Sequence, residues 1–495
     1  MSHKTRDELK QEASKLLSSL PATLTVKDRM NIPVQDMPSQ DPSVRCHNMK
    51  EVAIGYSEEQ AVLEASRCLQ CKNKPCVSGC PVSIDIPLFI SHVAKREFDK
   101  ALNVILESSL LPSICGRVCP QENQCQKNCT VGKAKKDINC AVAIGRLERF
   151  VADWAASNGV SVLPSVAKSS GKRVAVVGSG PASIAAAADL RRAGHEVVMF
   201  EALHKTGGVL VYGIPEFRLP KKLVESEIGK LKQMGVEINT NFLVGRTRTV
   251  SELMEDDHFD AVFIGTGAGL PKFMNISGEN LVGVFSANEY LTRSNLMKAY
   301  EEGVSKTPLY HAKRVAVFGG GNVAMDAART ALRLGAEKVS IIYRRTRDEM
   351  PARKEEVEHA AEEGVEFLML SQPVAITGDE GGHVKGVVVR KCVLGEADAS
   401  GRRRPVEVEG SDYEIPYECV IVAIGNASNP LIKMTTPQIE VNQRGNFIVN
   451  EETGETSIKG VFAGGDIVLG AATVILAMGQ GRKAARAMNE YLESK

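Results

Sequence analysis

The sequence predicts an α/β chain in which a helical, cysteine-rich N-terminal domain precedes two Rossmann-like dinucleotide-binding domains. Three observations predict it. A valine-rich run, a glycine turn and an alanine-rich stretch occur in that order twice, at RVAVVGSGPAS (173–183) and RVAVFGGGNVA (314–324). Ten of the twelve cysteines lie between Cys46 and Cys140. The two textures meet at a Ser-, Gly- and Pro-rich segment, Gly159 to Lys172, of the composition that marks linkers.

The bulk numbers set limits. A chain of 495 residues has room for about three domains at roughly 100–200 residues each. A net charge of +1 gives no electrostatic reason to expect nucleic acid or a membrane as partner. No run approaches the roughly 18 apolar residues of a membrane span. The opening MSHKTRDELKQEASKLL lacks the apolar core of a secretory signal. A cytoplasmic protein is expected, and there clustered cysteines bind metal more often than they form disulfides.

Residues up to about 45 read as an amphipathic helix and a proline-rich loop. EEQAVLEASRCL and IPLFISHVAKREFDKALNVI then repeat apolar residues at three- and four-residue spacing, a helical period. The expected domains are 1–170 for the helical unit, 171–288 with 421–495 for the first dinucleotide domain, and 289–420 for the second, inserted into it. GEADASGRRRP reads as an exposed loop whose arginines face solvent.

In the first turn, glycine at Gly178 makes the bend. Glycine at Gly180 lets a pyrophosphate approach the backbone, and Pro181 and Ala182 open the helix whose positive end faces the phosphates. Ser183 stands where glycine or alanine is usual. Glu201 ends the second strand, roughly twenty residues on, at the spacing of an acid that binds ribose hydroxyls. The second turn offers Gly319, Gly321, Asn322 and Val323, but its second strand ends in Tyr343-Arg344-Arg345 with no acid. An acid there would repel the 2′-phosphate of NADP, whereas arginines pair with it. The first turn is therefore assigned to FAD and the second to NADPH. DAVFIGTGA, with Gly267, and ECVIVAIGNAS each run a strand into a glycine turn, and GVFAGGDI sets Gly465-Asp466 before a helix opening at Thr473.

The cysteines form two runs, Cys68-x2-Cys71-x4-Cys76-x3-Cys80-Pro81 and Cys115-x3-Cys119-Pro120-x4-Cys125-x3-Cys129. Two-cluster ferredoxins take three close cysteines for one [4Fe–4S] cluster and lend the fourth, followed by proline, to the other. On that pattern Cys68, Cys71, Cys76 and Cys129 hold cluster one. Cys80, Cys119 and Cys125 hold cluster two, which still lacks a ligand; by spacing alone the candidate is Cys115. Zinc competes for both sets, but neither run has the paired C-x2-C of a zinc ribbon. Cys46, Cys140, Cys392 and Cys419 read as ordinary thiols.

NADPH gives up two electrons as hydride and a cluster takes one at a time. A flavin handles both, so a chain carrying all three is expected to convert between them. No catalytic acid–base pair is required, and none is apparent.

MPSQDPSVR, GYSEEQAVLEASRCLQCKNKPCVSGCPVSIDIP, CGRVCPQENQCQKNC, AIGRLERFVADW, TGGVLVYGIPEFRLPK and FGGGNVAMDAARTALRLGA together resemble, over nearly the whole chain, the NADPH-dependent glutamate synthase small-subunit family. Within it the chain is most similar to the large subunits of electron-bifurcating NADH-dependent reduced ferredoxin:NADP oxidoreductases. Ser183 and Asn139-Cys140 depart from the pattern. The resemblance implies two [4Fe–4S] clusters, FAD and an NADP(H) site on a flavoprotein disulfide reductase-like fold, whose Gly465-Asp466 segment closes over the FAD. It implies FAD contacts at Gly207 and Gly208, Arg218 near flavin N5 as the catalytic candidate, and Glu148 as the fourth ligand of cluster two, with Cys115 the alternative. As partners it implies a smaller NAD-binding flavoprotein subunit with a [2Fe–2S] cluster, and ferredoxin; in the glutamate synthase case it implies an amidotransferase subunit.

Overall fold

The computed structural model describes residues 4–301, 303–398 and 401–495. Five parallel strands form the first sheet, in the order Val461–Ala463, Ala261–Ile264, Arg173–Val177, Glu196–Phe200, Glu237–Asn239. The apolar runs of all but the edge strand Glu237–Asn239 are buried, as a parallel sheet covered on both faces requires. A second parallel sheet runs Val284–Ser286, Cys419–Val422, Arg314–Phe318, Lys338–Tyr343, Glu366–Met369. An antiparallel group follows, with Val384–Ala397 paired to Ser371–Gly378, Arg403–Glu407 and Tyr413–Pro416.

Two sequence expectations need correction. The boundaries at 288/289 and 420/421 cut into the second sheet: Val284–Ser286 and Cys419–Val422 are hydrogen-bonded to each other inside it. Both are short apolar runs that would suit either buried sheet, so only pairing assigns them. The chain crosses between the sheets at an antiparallel ribbon, Leu270–Pro271 with Asn426–Ala427. GEADASGRRRP is also not a loop throughout: its ends belong to the strands Val384–Ala397 and Arg403–Glu407, and residues 399 and 400 lie outside the described residues.

The N-terminal domain is helical, with its own core around Phe89, Ile90, Ile105, Leu147 and Val151. One of its helices, Pro112–Val118, belongs elsewhere: Leu111, Ile114, Cys115 and Val118 pack into the core of the first sheet with Ala182, Ala185 and Met478. The same helix is pressed against Ile144–Ser157, where a Cβ on Gly116 would lie 2.5 Å from the Arg149 nitrogen. Cysteine domain and first nucleotide domain thus share a hydrophobic core, and the cysteines inherit its rigidity.

A buried charge lattice joins all three units. Arg45, Arg329 and Arg333 converge on the Glu363 carboxylate at 2.8, 2.8 and 2.6 Å, all four side chains fully buried. Arg329 also reaches Glu356 at 2.5 Å, and Arg218 of the first nucleotide domain pairs with Asp326 at 2.6 Å and Glu356 at 3.2 Å. Phe217 lies beneath Arg329 and Arg333, its ring centroid 4.8 and 3.9 Å from their guanidinium carbons. Among the described residues no helix is long and apolar enough to cross a membrane.

Candidate functional site

The first glycine turn has the geometry a dinucleotide needs. Gly178 has φ +93°, and a Cβ there would sit 2.6 Å from the Gly265 carbonyl oxygen. Gly180 leaves open space where its side chain would be and caps the helix Pro181–Arg192, so its free amides face a cradle a phosphate fits. Gly207 and Gly208 close that cradle from the other side, a Cβ on Gly208 coming 2.9 Å from Gly180 Cα. Ser179 Oγ donates to Glu201 and accepts from the Gly207 amide at 2.9 Å. The other Glu201 oxygen accepts from the Leu203 amide at 2.8 Å. Glu201 is therefore a buried acid locked to the turn, not a solvated strand end.

Ser183 meets the packing need of its position in an unexpected way. Its buried hydroxyl lies over Gly265, where any Cβ would be 2.3 Å away. The close helix–strand approach is supplied by the strand's glycine rather than the helix's. Next to it Thr266 Oγ1 is buried without a protein partner, and Gly267 (φ +71°) has open space around it. Asp466 follows Gly465 (φ +82°), and burial pushes its carboxyl up to about 6. Thr473 caps the long helix Val474–Glu493, accepting from the Leu476 amide at 3.3 Å. Tyr212, which sequence reasoning missed, is a further member: burial raises its hydroxyl to about 12, and the charges of Asp466 and Glu201 add to it. Its only sequence signal was its place in VLVYGIPEFR. These open glycines and the orphaned Thr266 hydroxyl fit FAD.

In the second turn Gly319 (φ +134°) would place a Cβ 2.3 Å from the Ala423 oxygen, and Gly321 is open. Asn322 starts the helix Asn322–Arg333 and accepts from the Arg353 amide at 2.9 Å, while Val323 behind it is partly exposed. The two arginines at the strand end part company. Arg345 is buried, donating to the Arg403 carbonyl at 2.7 Å and pairing with Asp398 at 3.0 Å. Arg344 is exposed, with no hydrogen bond or ion pair among the described residues. Of the two, it is Arg344 that has unengaged donors to offer a 2′-phosphate.

Arg218 is engaged by carboxylates. Its guanidinium is buried, with Nη1 donating to both Asp326 oxygens at 2.7 and 2.6 Å, so Arg218 belongs to the charge lattice. Two carboxylates on the second domain draw it there, and their approach appears only in the tertiary structure.

The cysteines separate into two groups. Cys68, Cys71, Cys76 and Cys129 line one small cavity with Leu69, Pro75 and Ile90. Burial pushes the Cys68 thiol to about 11 and the Cys76 thiol to about 12, with mutual repulsion among the four adding to both. Among the described residues no three His, Cys, Asp or Glu side chains stand close enough to one point for a single metal ion. Cys80, Cys119 and Cys125 make the second group around Glu148. Burial raises Cys80 to about 11, and Cys119 and Cys125 rise well above the ordinary thiol range, Cys119 chiefly through its hydrogen bond with Cys115. Thiols that resist ionising side by side fit an iron–sulfur centre, whose positive charge removes the penalty. Glu148 is buried, its Oε1 has no partner, and burial alone pushes its carboxyl to about 8. Cys115 already has hydrogen-bond partners, Cys119 and Met478 Sδ, the latter at 3.7 Å.

The second group lies against the FAD-side helix. Gln124 Nε2 donates to Thr473 Oγ1 at 3.3 Å, and a Cβ on Gly479 would meet the Pro81 oxygen at 3.0 Å.

Comparison with known proteins gives a family to each part of the chain. Residues 45–160 match the family described as dihydropyrimidine dehydrogenase domain II, 4Fe-4S cluster, and residues 172–481 match the pyridine nucleotide-disulphide oxidoreductases. A glutamate synthase [NADPH] small chain from Azospirillum brasilense is 38% identical over 469 residues, spanning 93% of this chain and 95% of its own. An NADP(+)-dependent formate dehydrogenase subunit beta from Moorella thermoacetica is 40% identical over 441 residues, 84% of this chain and 60% of its own. Mycobacterium tuberculosis FprA in complex with NADPH superposes with a TM-score of 0.53 at 22% identity, over 65% of this chain and 84% of its own, a likeness of fold. A chain that pairs nucleotide turns with cluster cysteines in this way is an NADP-dependent flavin and iron–sulfur oxidoreductase, with FAD, NADP(H) and 4Fe–4S clusters as its cofactors. It belongs to the glutamate synthase small-subunit family.

Proposed function

We propose that this chain is the NADP(H)-linked subunit of an electron-transfer complex, exchanging hydride at FAD and passing single electrons through two [4Fe–4S] clusters to a partner subunit. The observation that carries this reading is the contact of the Cys80, Cys119 and Cys125 segments with the helix Val474–Glu493, through Gln124–Thr473 and Pro81–Gly479. In this reading cluster two stands beside the flavin, and cluster one, on Cys68, Cys71, Cys76 and Cys129, is the exit. Glu148 is the fourth ligand of cluster two in this reading.

FAD, when bound, accepts a hydride as a pair of electrons and returns them singly to iron–sulfur centres. The chain's own contribution is positional. The amides opening Pro181–Arg192 and Asn322–Arg333 hold the two pyrophosphates, Glu201 takes the FAD ribose, and Arg344 takes the 2′-phosphate of NADPH. The charge lattice around Glu363 and Asp326 keeps the two nucleotide domains in register, so that nicotinamide and flavin can meet. Tyr212 and Asp466 line the flavin cleft, where burial keeps water out.

For the complex as a whole we propose the large subunit of an electron-bifurcating ferredoxin:NADP transhydrogenase, with a smaller NAD-binding [2Fe–2S] flavoprotein and ferredoxin as partners. The PCVSGCPVSIDIP and YGIPEFRLPK segments support it. A second reading, delivery of NADPH electrons to an amidotransferase subunit, is favoured by the glutamate synthase small chains of three organisms that match over more than nine-tenths of this chain. Co-purification from the native cell decides: an amidotransferase subunit arriving without a small NAD-binding flavoprotein ends the first reading. The core proposal predicts iron and acid-labile sulfide of about eight each per chain, and flavin bleaching by NADPH under anaerobic conditions. Zinc in place of iron would overturn it.

Arg344→Ala is expected to raise KM for NADPH about tenfold to a hundredfold, the loss of hydrogen bonds to a charged group, with KM for NADH nearly unchanged. Arg345→Ala is expected to lower the melting temperature and change KM far less. Steady-state kinetics with both nucleotides separates the two.

A further inference from the structure

Residues 350–353 are strapped to the second glycine turn. The Ala352 amide donates to the Gly320 carbonyl at 3.2 Å, and the Arg353 amide donates to Asn322 Oδ1 at 2.9 Å. Gly320 is itself fixed: a Cβ there would lie 2.7 Å from the Tyr343 ring, and the Tyr343 hydroxyl donates to the Glu349 carbonyl at 3.0 Å.

The buried side chain of Arg353 reaches the cysteine domain. Its Nη1 donates to the Arg117 carbonyl at 3.1 Å and its Nε to Glu122 Oε1 at 3.3 Å, partners 236 and 231 positions away in the chain. The third nitrogen, Nη2, pairs with Glu355 at 3.1 Å. Arg117 and Glu122 stand on either side of Cys119, and Cys125 follows Glu122 within one turn of chain. The Arg117 carbonyl belongs to the last turn of the helix Pro112–Val118. Such carbonyls have no partner within their own helix. The Gln121 amide, which would have served it in a longer helix, bonds to the Cys119 carbonyl at 2.9 Å instead. A guanidinium from the second nucleotide domain fills the gap. Arg353 thus touches the NADPH-side turn with its backbone and the loop of Cys119 and Cys125 with its side chain.

We propose that Arg353 is a positioning residue that couples these two places, so that nucleotide occupancy of the second turn and the reduction potential of cluster two depend on each other. The inference rests on the assignments of NADP(H) to that turn and of cluster two to Cys80, Cys119, Cys125 and Glu148. Its physical basis is charge. Hydrogen bonds and net charge around a cluster set its potential, and a guanidinium bonded to the ligand loop favours the reduced form, which is one electron more negative. Nucleotide phosphates at residues 319–322 bring negative charge to the other end of the same short segment and offset that preference. Coupling between two equilibria is reciprocal, so reduction of cluster two weakens nucleotide binding by the same factor. Arrival of an electron at cluster two then favours release of the oxidised nucleotide that supplied it.

The test uses anaerobic holoprotein and 2′-phospho-ADP-ribose. This probe has the pyrophosphate and 2′-phosphate of NADP but no nicotinamide, so it binds without exchanging electrons. Wild type is expected to bind it about fivefold to tenfold more weakly when cluster two is reduced, a usual size for coupling between sites. EPR-monitored potentiometry should then show the midpoint of cluster two lowered by about 40–60 mV on probe binding, the same factor at about 59 mV per tenfold for one electron. The midpoint of cluster one should not move. Arg353→Gln keeps both backbone bonds to the turn and cuts the side-chain reach, so it should lose the shift and the difference between the two affinities. Arg353→Lys, which keeps the charge, should restore part of both. Glu122→Gln loosens the link from the cluster side and should shrink the shift; if the Arg353 variants do not fold, it decides together with the wild type. The link is overturned if the probe leaves the midpoint of cluster two unchanged, if both clusters shift equally, or if the variants that fold keep the full shift. A holoprotein that fails to bind the probe, or that lacks the signal of a second cluster, would instead overturn the assignments beneath it.

Discussion

Glu363→Gln is expected to destabilise the protein by about 3–5 kcal/mol, the cost of removing the shared partner from buried charges. Three guanidiniums, from Arg45, Arg329 and Arg333, meet on this one carboxylate, and all are fully buried. The amide keeps the shape and loses the charge, so each arginine is left in a low-dielectric site with less compensation. Glu362→Gln is the control: it pairs with the same Arg45 but is 52% exposed, so it should cost no more than about 1 kcal/mol. Burial alone would push the Glu363 carboxyl up, but hydrogen bonds and charge from Arg329 and Arg333 outweigh it and hold the group well below the usual carboxylate range. Its folded-state value lies below the unfolded one, so its contribution is complete above about pH 4.3, the unfolded carboxylate value. The contribution is lost only as pH falls further. The gap between wild type and variant should therefore be constant from pH 8 to pH 5. Denaturant unfolding at both ends of that window measures it, and a gap that fades above pH 5 would assign the stabilising charge elsewhere. Because the lattice spans all three units, the variant should also slow flavin reduction by NADPH.

Glu148→Ala is expected to remove about four irons and four sulfides per chain, one cluster of the two, while Cys115→Ala leaves the content near that of the wild type. The two candidates differ in whether an oxygen or sulfur is left without a partner. Glu148 is buried with an unpartnered oxygen among Cys80, Cys119 and Cys125, a costly state that a positive centre would relieve. Cys115 is buried in the shared core with hydrogen-bond partners already in place, Cys119, Met478 and Ser109. In the Glu148 variant NADPH should still bleach the flavin, since Glu201, Gly178 and Arg344 are untouched. Transfer to a one-electron protein acceptor should fall by more than tenfold, because the flavin-side cluster is the one removed. Iron and sulfide analysis with low-temperature EPR of the dithionite-reduced protein reads both variants; iron lost from Cys115→Ala instead would make that sulfur the ligand.

Much of the site was legible before any coordinates. The two glycine turns, Glu201 and the division of the cysteines all rest on local spacing; the structure brings Cys68, Cys71, Cys76 and Cys129 around one cavity and Cys80, Cys119 and Cys125 near Glu148. Other features were not local. Arg218 and Arg345 look in the sequence like available cations, yet each is claimed by a carboxylate more than fifty positions away, Asp326 and Asp398. Ser183 reads as a flaw in a fingerprint until Gly265 is seen beneath it. Strands 284–286 and 419–422 could serve either sheet until pairing assigned them.

By itself the sequence determined the nucleotide turns, the helical cysteine domain and the kinds of cofactor. Glycine conformation, helix termini and ligand spacing act over a few residues, and a linear pattern records them. Only the tertiary structure decided which arginines are free, which cysteine group packs against the helix Val474–Glu493, and that Pro112–Val118 shares the core of the neighbouring domain. Those outcomes follow from competition for partners among distant charges and apolar faces, and such competition is settled only when the chain has packed.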